Sequence, residues 1–402
     1  MKILFAVAPG YGLMLPIVPL MWAARAAGHE ILVATTSEMT EIGARSGLPV
    51  VDVFSHRDVW AELLNAVSGQ GDLPEEYRLA TKNDNPFGLF TLTMTEGTIA
   101  AGRLFGADLV VYPTDHAAGR LTAIALAVPA LEVGNRISWS TRDEDFRAEH
   151  GMDGPDEIDR LLRGTLNIDD GDPKLVARID PRAPSMGGLS ADEPDPRDGV
   201  PWWPMRFVPY NGGAVVPEWA LRRPERPRVC VTLGTVVPVM TGTSTLSAAL
   251  HALGGMDVEV VLAAGTADLS ALGVLPDNVR PVGFLPLSTF LPTCSLIVHH
   301  GGSGTTAAPL HYGIPQLVLP SFADNHMSAQ RVVDRGVGLS HDPTTVDAAT
   351  VRASVQRLIG EPAFAIAAGE VSAEMATQPS PSAVIERLTT TLSRVGASRT
   401  QR

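Results

Sequence analysis

The sequence predicts an α/β protein made of two doubly wound domains. Apolar runs of strand length alternate with helix-period segments, and the alternation stops at a Gly/Pro-rich stretch and then starts again. The length agrees, because 402 residues exceed one comfortable core and suit two ordinary domains.

The first half opens with residues 2–8, a continuous apolar run closed by Pro9-Gly10, which suits a strand buried on both faces. Residues 15–27 follow as a helix with Ile17, Leu20, Met21 and Ala24 on its apolar stripe and Gly28 as its stop. Residues 30–35 read as a strand, and Ser37 then caps a helix ending near Gly47. Strands at 50–53, 108–112 and 130–133 continue the series, with a helix at 117–127 between the last two. Such alternation gives a parallel sheet with right-handed crossovers. Two polar or mixed stretches, 56–100 and 138–200, interrupt it; each reads as a pocket-shaping insertion or as solvated decoration. The Asp143-Glu144-Asp145 triplet could hold a metal, but it lies in a charged stretch away from a strand end and reads as a solvated loop.

Residues 209–227, rich in Gly and Pro around Trp219, read as a linker. They separate an N-terminal domain (1–208) from a C-terminal domain (228–380), which is followed by a helix and tail (381–402). In the second domain strands are expected at 228–233, 258–263, 279–284, 295–299 and 316–319, and helices near 244–253, 304–312 and 326–335. The last helix, 381–395, puts Val384, Ile385, Leu388, Leu392 and Val395 on one face. A cleft should lie at the carboxyl ends of both sheets, where open α/β folds bind ligands.

Composition excludes some partners. Apolar residues make up 45% and charged ones 19%, as in a globular chain. A net charge of −13 argues against nucleic acid and anionic membrane. No apolar run reaches spanning length, and residues 1–8 read as a strand rather than a leader, so a cytoplasmic protein is expected. Cys230 and Cys294 sit in apolar runs and read as buried, reduced thiols rather than a disulfide.

The chemistry gathers at His299-His300-Gly301-Gly302-Ser303-Gly304-Thr305-Thr306. A strand ends there, glycines allow tight backbone, and a helix begins whose free N–H groups suit a diphosphate. Ser303, Thr305 and Thr306 can add hydroxyl donors. A histidine beside phosphates can donate a hydrogen bond or, if protonated, neutralise charge. The bland alternative is a Gly-rich turn with satisfied histidines.

The run VHHGGSGTTAAPLHYGIPQLVLPSFADNHMSAQRVVDRGVG from Val298 resembles the donor-binding signature of the GT-B glycosyltransferases of actinobacterial antibiotic pathways, which attach deoxysugars to macrolides, enediynes and aromatic polyketides. The likeness extends over nearly the whole chain, including FAVAPG…PIVPLMWAARAAGHE, the linker MRFVPYNGGAVVPEW, Leu233-Gly234-Thr235 and Val282-Gly283-Phe284-Leu285-Pro286. It implies two Rossmann-like domains facing each other across a cleft, with the C-terminal helix packing back on the N-terminal domain. It also implies inverting, metal-independent transfer of a deoxysugar, as a dTDP-linked co-substrate with no further cofactor, to a small aglycone. His300 then matches the histidine on the donor diphosphate, and Gly302, Ser303, Gly304 and Thr305 the phosphate-cradling turn. Phe284 matches the aromatic against the nucleotide base, with Leu285 backbone groups reading the base edge. Thr235 matches the hydroxyl after the first strand of the C-terminal domain, and Asp324 and Asn325 the pair on the sugar hydroxyls. The amide is usually Gln in the family, so Asn325 departs from it.

A second departure concerns the base. Many relatives carry a catalytic histidine in the first loop, where this chain has Leu13. Asp115 and His116, just past the strand at 108–112, are the candidates to replace it; the alternative for Asp115 is a helix cap. Relatives without the loop histidine include some that form C-glycosidic bonds to phenolic rings, so both O- and C-transfer stay open, O-transfer being preferred. Two rivals stand beside the transferase: a nucleotide-sugar epimerase of the same fold, and a catalytically silent homologue that activates a partner. A homodimer or an activator protein is a further possible association.

Overall fold

The computed structural model describes residues 1–67, 77, 87–150, 157–234, 244–265, 269–321 and 324–400. Its strands form two sheets. The first contains β1 (Lys2–Ala6), β2 (Glu30–Thr35), β3 (Val50–Asp52), β4 (Leu109–Pro113), β5 (Pro129–Val133), β6 (Lys174–Asp180), β7 (Glu193–Pro194) and β8 (Pro201–Pro204), in the order β3-β2-β1-β4-β5-β6-β8-β7. All its pairings are parallel except β7 with β8. The second contains β9 (Arg228–Thr232), β10 (Glu259–Ala263), β11 (Val279–Val282), β12 (Leu296–His299), β13 (Gln316–Val318) and β14 (Gly338–Ser340), in the order β11-β10-β9-β12-β13-β14, all parallel. Strand order reverses between β1 and β4 and again between β9 and β12. Loops leaving these strands therefore splay apart and open a crevice in each domain.

β1 is apolar throughout because both its faces are covered. Ile3 and Phe5 pack with the helix Val18–Ala26, whereas Leu4 and Ala6 pack with the helix Phe87–Phe105. Val384, Ile385 and Leu388 of the last helix, Pro381–Thr400, join the first of these clusters, so the chain's end returns to the N-terminal domain. Cys230 and Cys294 are free and buried, and burial pushes the Cys294 thiol up to about 12.

Several expectations need correction. The stretch 56–100 is not mere decoration: it supplies most of the helix Phe87–Phe105, with Leu89, Phe90, Met94 and Ile99 in the core. Its polarity is deceptive, because Thr91, Thr93, Thr95 and Thr98 each donate to the carbonyl four residues back and so enter the core satisfied. Gly97 is required there, since a Cβ would lie 2.0 Å from the Val53 carbonyl oxygen. The stretch 138–200 holds β6 and β7, with β8 just beyond it, which lacked a legible period. Asp143 is not a solvated loop residue; it pairs with the fully buried Arg182 and with Arg331 of the other domain. Ser37 occupies the N-cap position but makes no side-chain cap bond, its φ being 55°. The helices Ala348–Gly360 and Pro362–Thr377 and strand β14 were not anticipated.

Candidate active site

The loops leaving β1, β4, β9 and β12 meet across a cleft of about 2150 Å³ lined by both domains. On the C-terminal side, β12 ends at His299 and the helix Ser303–Tyr312 begins after two glycines. Gly301 has φ +93°, and a Cβ there would lie 2.7 Å from the Asn325 carbonyl oxygen, so only glycine serves. The first N–H groups of that helix have no acceptor within it, and the Gly302 cap offers no side chain to them.

The two histidines differ. His299 is a strut: its Nδ1 accepts from the Gly301 N–H at 3.1 Å, its Nε2 meets Gln316 Oε1 at 2.8 Å, and Gln316 Nε2 donates to the Thr306 carbonyl. Burial pushes it down to about 3. His300 lines the cleft, its ring close to Gly234 and Gly302, where added Cβ atoms would come within 2.6 and 2.5 Å of it. Burial pushes His300 down to about 4 against the opposing pull of the Asp324 carboxylate. It is therefore a neutral donor at neutral pH, not a cation.

Ser303, Gly304 and Thr305 line the cleft from the helix's first turn. The Thr306 hydroxyl is taken by the Gly302 carbonyl. Asp324 accepts from Ser303 Oγ at 3.1 Å, from Ser138 Oγ at 2.6 Å and from Arg136 Nη1 at 3.3 and 3.4 Å. Asn325 is buried at the start of the helix Asn325–Asp334, lines the cleft, and its Nδ2 has no hydrogen-bond partner. Phe284 lies just past the end of β11, is 46% exposed as a residue, and has its ring 5.8 Å from the Tyr11 ring of the other domain; Leu285 follows it along the cleft wall. Thr235 lies outside the described residues; Gly234, just before it, lines the cleft.

On the N-terminal side the cleft is walled by Leu13, Trp60, Phe87, Phe90, Trp139 and Phe146. Asp115 faces it and accepts from Arg136 Nη2 at 2.9 Å and Nε at 3.2 Å, with Asn135 Nδ2 at 3.4 Å. Those bonds replace the helix-cap alternative. His116 is not brought to the cleft: no part of it is exposed, neither ring nitrogen has a partner, and burial pushes it down to about 3. The sequence reading missed Arg136, Ser138 and Glu132. All three lie in or just past β5, which ends at the same carboxyl edge as β4, and that position is the signal that could have found them. Burial raises the Glu132 carboxyl despite the nearby Arg178 guanidinium. Among the described residues no cluster of three or more His, Cys, Asp or Glu could hold a metal, and no helix is long and apolar enough to cross a membrane.

A cradle for an anion on one domain, facing an apolar chamber on the other, suits transfer from an activated donor. The family described as erythromycin biosynthesis protein CIII-like matches both domains, its N-terminal part over residues 22–234 and its C-terminal part over residues 247–391. The chain belongs to this family. Elloramycin glycosyltransferase ElmGT of Streptomyces olivaceus is 36% identical over 409 residues, covering 97% of each chain. Aclacinomycin-T 2-deoxy-L-fucose transferase of Streptomyces galilaeus is 31% identical, covering 96% of this chain and 95% of that one. Among solved structures, the glycosyltransferase SsfS6 of Streptomyces sp. SF2575, complexed with thymidine diphosphate, superposes with a TM-score of 0.71 at 29% identity, covering 97% of this chain and 99% of that one. The chain is thus a glycosyltransferase of the GT-B fold, and its relatives serve antibiotic pathways.

Proposed function

We propose that this enzyme transfers a deoxysugar from a dTDP-linked donor to a hydroxyl of a small polyketide-type aglycone, with inversion and without a metal ion. The observation that carries this reading is the strand-to-helix turn at 300–305, where neutral His300 and free helix N–H groups face a cleft shared with an apolar chamber. The helix start concentrates partial positive charge where a leaving diphosphate develops negative charge. His300 adds one N–H donor without needing a proton from solvent. Phe284 offers an exposed ring for a nucleotide base, and Asp324 with Asn325 offers an acceptor and a donor for sugar hydroxyls. The aglycone lies against Leu13, Trp60 and Phe90, so attacking oxygen, anomeric carbon and phosphate oxygen can align.

Asp115 is the base in this reading, since it faces the cleft and His116 does not. Leu13 favours a second outcome, a C-glycosidic bond, because it puts hydrocarbon where many relatives have a histidine. A phenolate needs less help from a base than an alcohol does.

The test incubates the enzyme with a dTDP-deoxysugar and aromatic polyketide aglycones. Release of dTDP should require the aglycone, and the glycoside should show inverted anomeric configuration. Consumption of donor without acceptor would point to an epimerase instead. Acid lability of the product separates O- from C-linkage.

A further inference from the structure

The residues of the donor turn carry no formal positive charge. His300 is neutral, Ser303 and Thr305 are hydroxyls, and the helix start contributes about half a unit charge. Asp324 adds a negative charge beside them. A sugar nucleotide brings roughly two more negative charges on its diphosphate, which a guanidinium within reach would offset with charge-assisted hydrogen bonds.

Arg136 stands where that cation should be. It follows β5 in the acceptor domain and lines the cleft. Its Nη1 and the Ser303 hydroxyl both donate to Oδ2 of Asp324, and Ser303 opens the helix of the donor turn. Ser138, two residues on, lies 3.2 Å from Ser303 through their hydroxyl oxygens. On its other side Arg136 is held by Asp115 and lies over the Phe87 ring at 5.5 Å and the Trp139 ring at 6.0 Å. A guanidinium has five N–H donors. Nη1 is shared between the two oxygens of Asp324, while Nη2 donates to one oxygen of Asp115 and keeps a second N–H for a ligand.

We propose that Arg136 is the counter-ion of the donor's diphosphate, lent across the cleft by the acceptor domain. The inference rests on the donor-site reading above. Charge arithmetic supports it: Asp115 and Asp324 supply two negative charges and Arg136 one positive. With the diphosphate in place, removing Arg136 leaves four negative charges facing one another and no cation in this group. The same guanidinium ties the acceptor carboxylate Asp115 to the donor carboxylate Asp324, so donor binding is felt on the acceptor side. Lysine preserves charge but not the planar fork, and should replace arginine only in part.

The experiment is titration calorimetry of the full chain with thymidine diphosphate and with thymidine, comparing parent, Arg136→Met and Arg136→Lys. Arg136→Met should weaken thymidine diphosphate binding at least 30-fold and thymidine binding less than twofold. Arg136→Lys should recover part of the loss. A merely structural role would weaken both ligands alike, and that outcome overturns the proposal, as does unchanged thymidine diphosphate binding. Should Arg136→Met fail to fold because Asp115 is left unpaired, the double variant Asp115→Asn/Arg136→Met removes that charge and must show the same ligand selectivity. If the parent itself does not bind thymidine diphosphate, the donor-site reading falls and takes this proposal with it. Binding by parent and Met variants alike overturns the proposal alone.

Discussion

Substituting Gly302 by alanine tests whether the place of the His300 ring, rather than its mere presence, sets the rate. Gly302 has φ −58°, which alanine adopts freely, so the substitution adds no backbone strain. Its Cβ would lie 2.5 Å from His300 Nε2 and 3.1 Å from Cε1. The ring has little retreat, because an added Cβ on Gly234 would come within 2.6 Å of the same Cε1, which marks how closely that backbone approaches. The ring must yield by roughly 1 Å, a displacement that can cost about 10²-fold in rate. Overpacking of this kind costs about 1–3 kcal/mol of stability. The assay is kcat at saturating donor, beside a urea melt to confirm that the variant is folded. Gly304→Ala is the control for folding, since its Cβ meets nothing within 4 Å and should not lower the urea midpoint. In a double-mutant cycle, His300→Ala/Gly302→Ala should be no slower than His300→Ala alone. A kcat for Gly302→Ala within threefold of the parent would refute the reasoning.

Other outcomes are expected from the same geometry. His300→Ala should lower kcat by about 10²–10³-fold, the usual loss of one transition-state donor; turnover within twofold of the parent would remove His300 from the diphosphate site. His116, His299 and His300 are held at about 3, about 3 and about 4 against an ordinary 6.5. Below pH 6.5 the unfolded chain gains protons that the folded chain refuses, so stability is full above that pH and is lost as pH falls toward 3. Urea midpoints between pH 7 and 5 should fall accordingly, and a flat profile would contradict the burial. Asp115→Asn should lower kcat on an alcohol acceptor about 10²-fold and on a phenol less; equal, small losses would exclude Asp115 as base. Excess chelator should leave the rate unchanged, and activity restored by Mg²⁺ would refute metal independence.

The C-terminal wall of the cleft was legible because backbone builds it. A strand end, glycines and a helix start occupy consecutive positions from His299 to Thr306, and each has a local signature. The N-terminal wall is built by side chains brought together from distant segments. Arg136 reads as an ordinary loop cation until β4 and β5 pair and set it beside Asp115. His116 shows the opposite error: adjacency to Asp115 suggested a pair, but the start of the next helix turns the ring inward and away from the cleft. The helix Phe87–Phe105 was obscured by threonines whose hydroxyls are spent on their own backbone.

The whole-chain charge of −13 is a poor guide to the site, and the reason is distance. Exposed charges are screened within about 8–10 Å of solution at ordinary salt, whereas Arg136 is in direct hydrogen-bond contact with Asp115 and Asp324. At the turn itself a diphosphate would meet a helix start and, beside it, the Arg136 guanidinium set between the carboxylates of Asp115 and Asp324. Opposite charges at Arg136, Asp115 and Asp324 balance to a single negative charge before any ligand arrives, and both hydroxyls on Asp324 are donors. A ligand that brings negative charge to the turn must therefore draw on Arg136, while one that brings hydroxyl groups must compete for Asp324. A sugar nucleotide does both at once. Under the proposed counter-ion role, the ion pairs of Arg136 with Asp324 and Asp115 would carry the effect of an occupied diphosphate site to Asp115, tying both halves of the proposed reaction to one side chain.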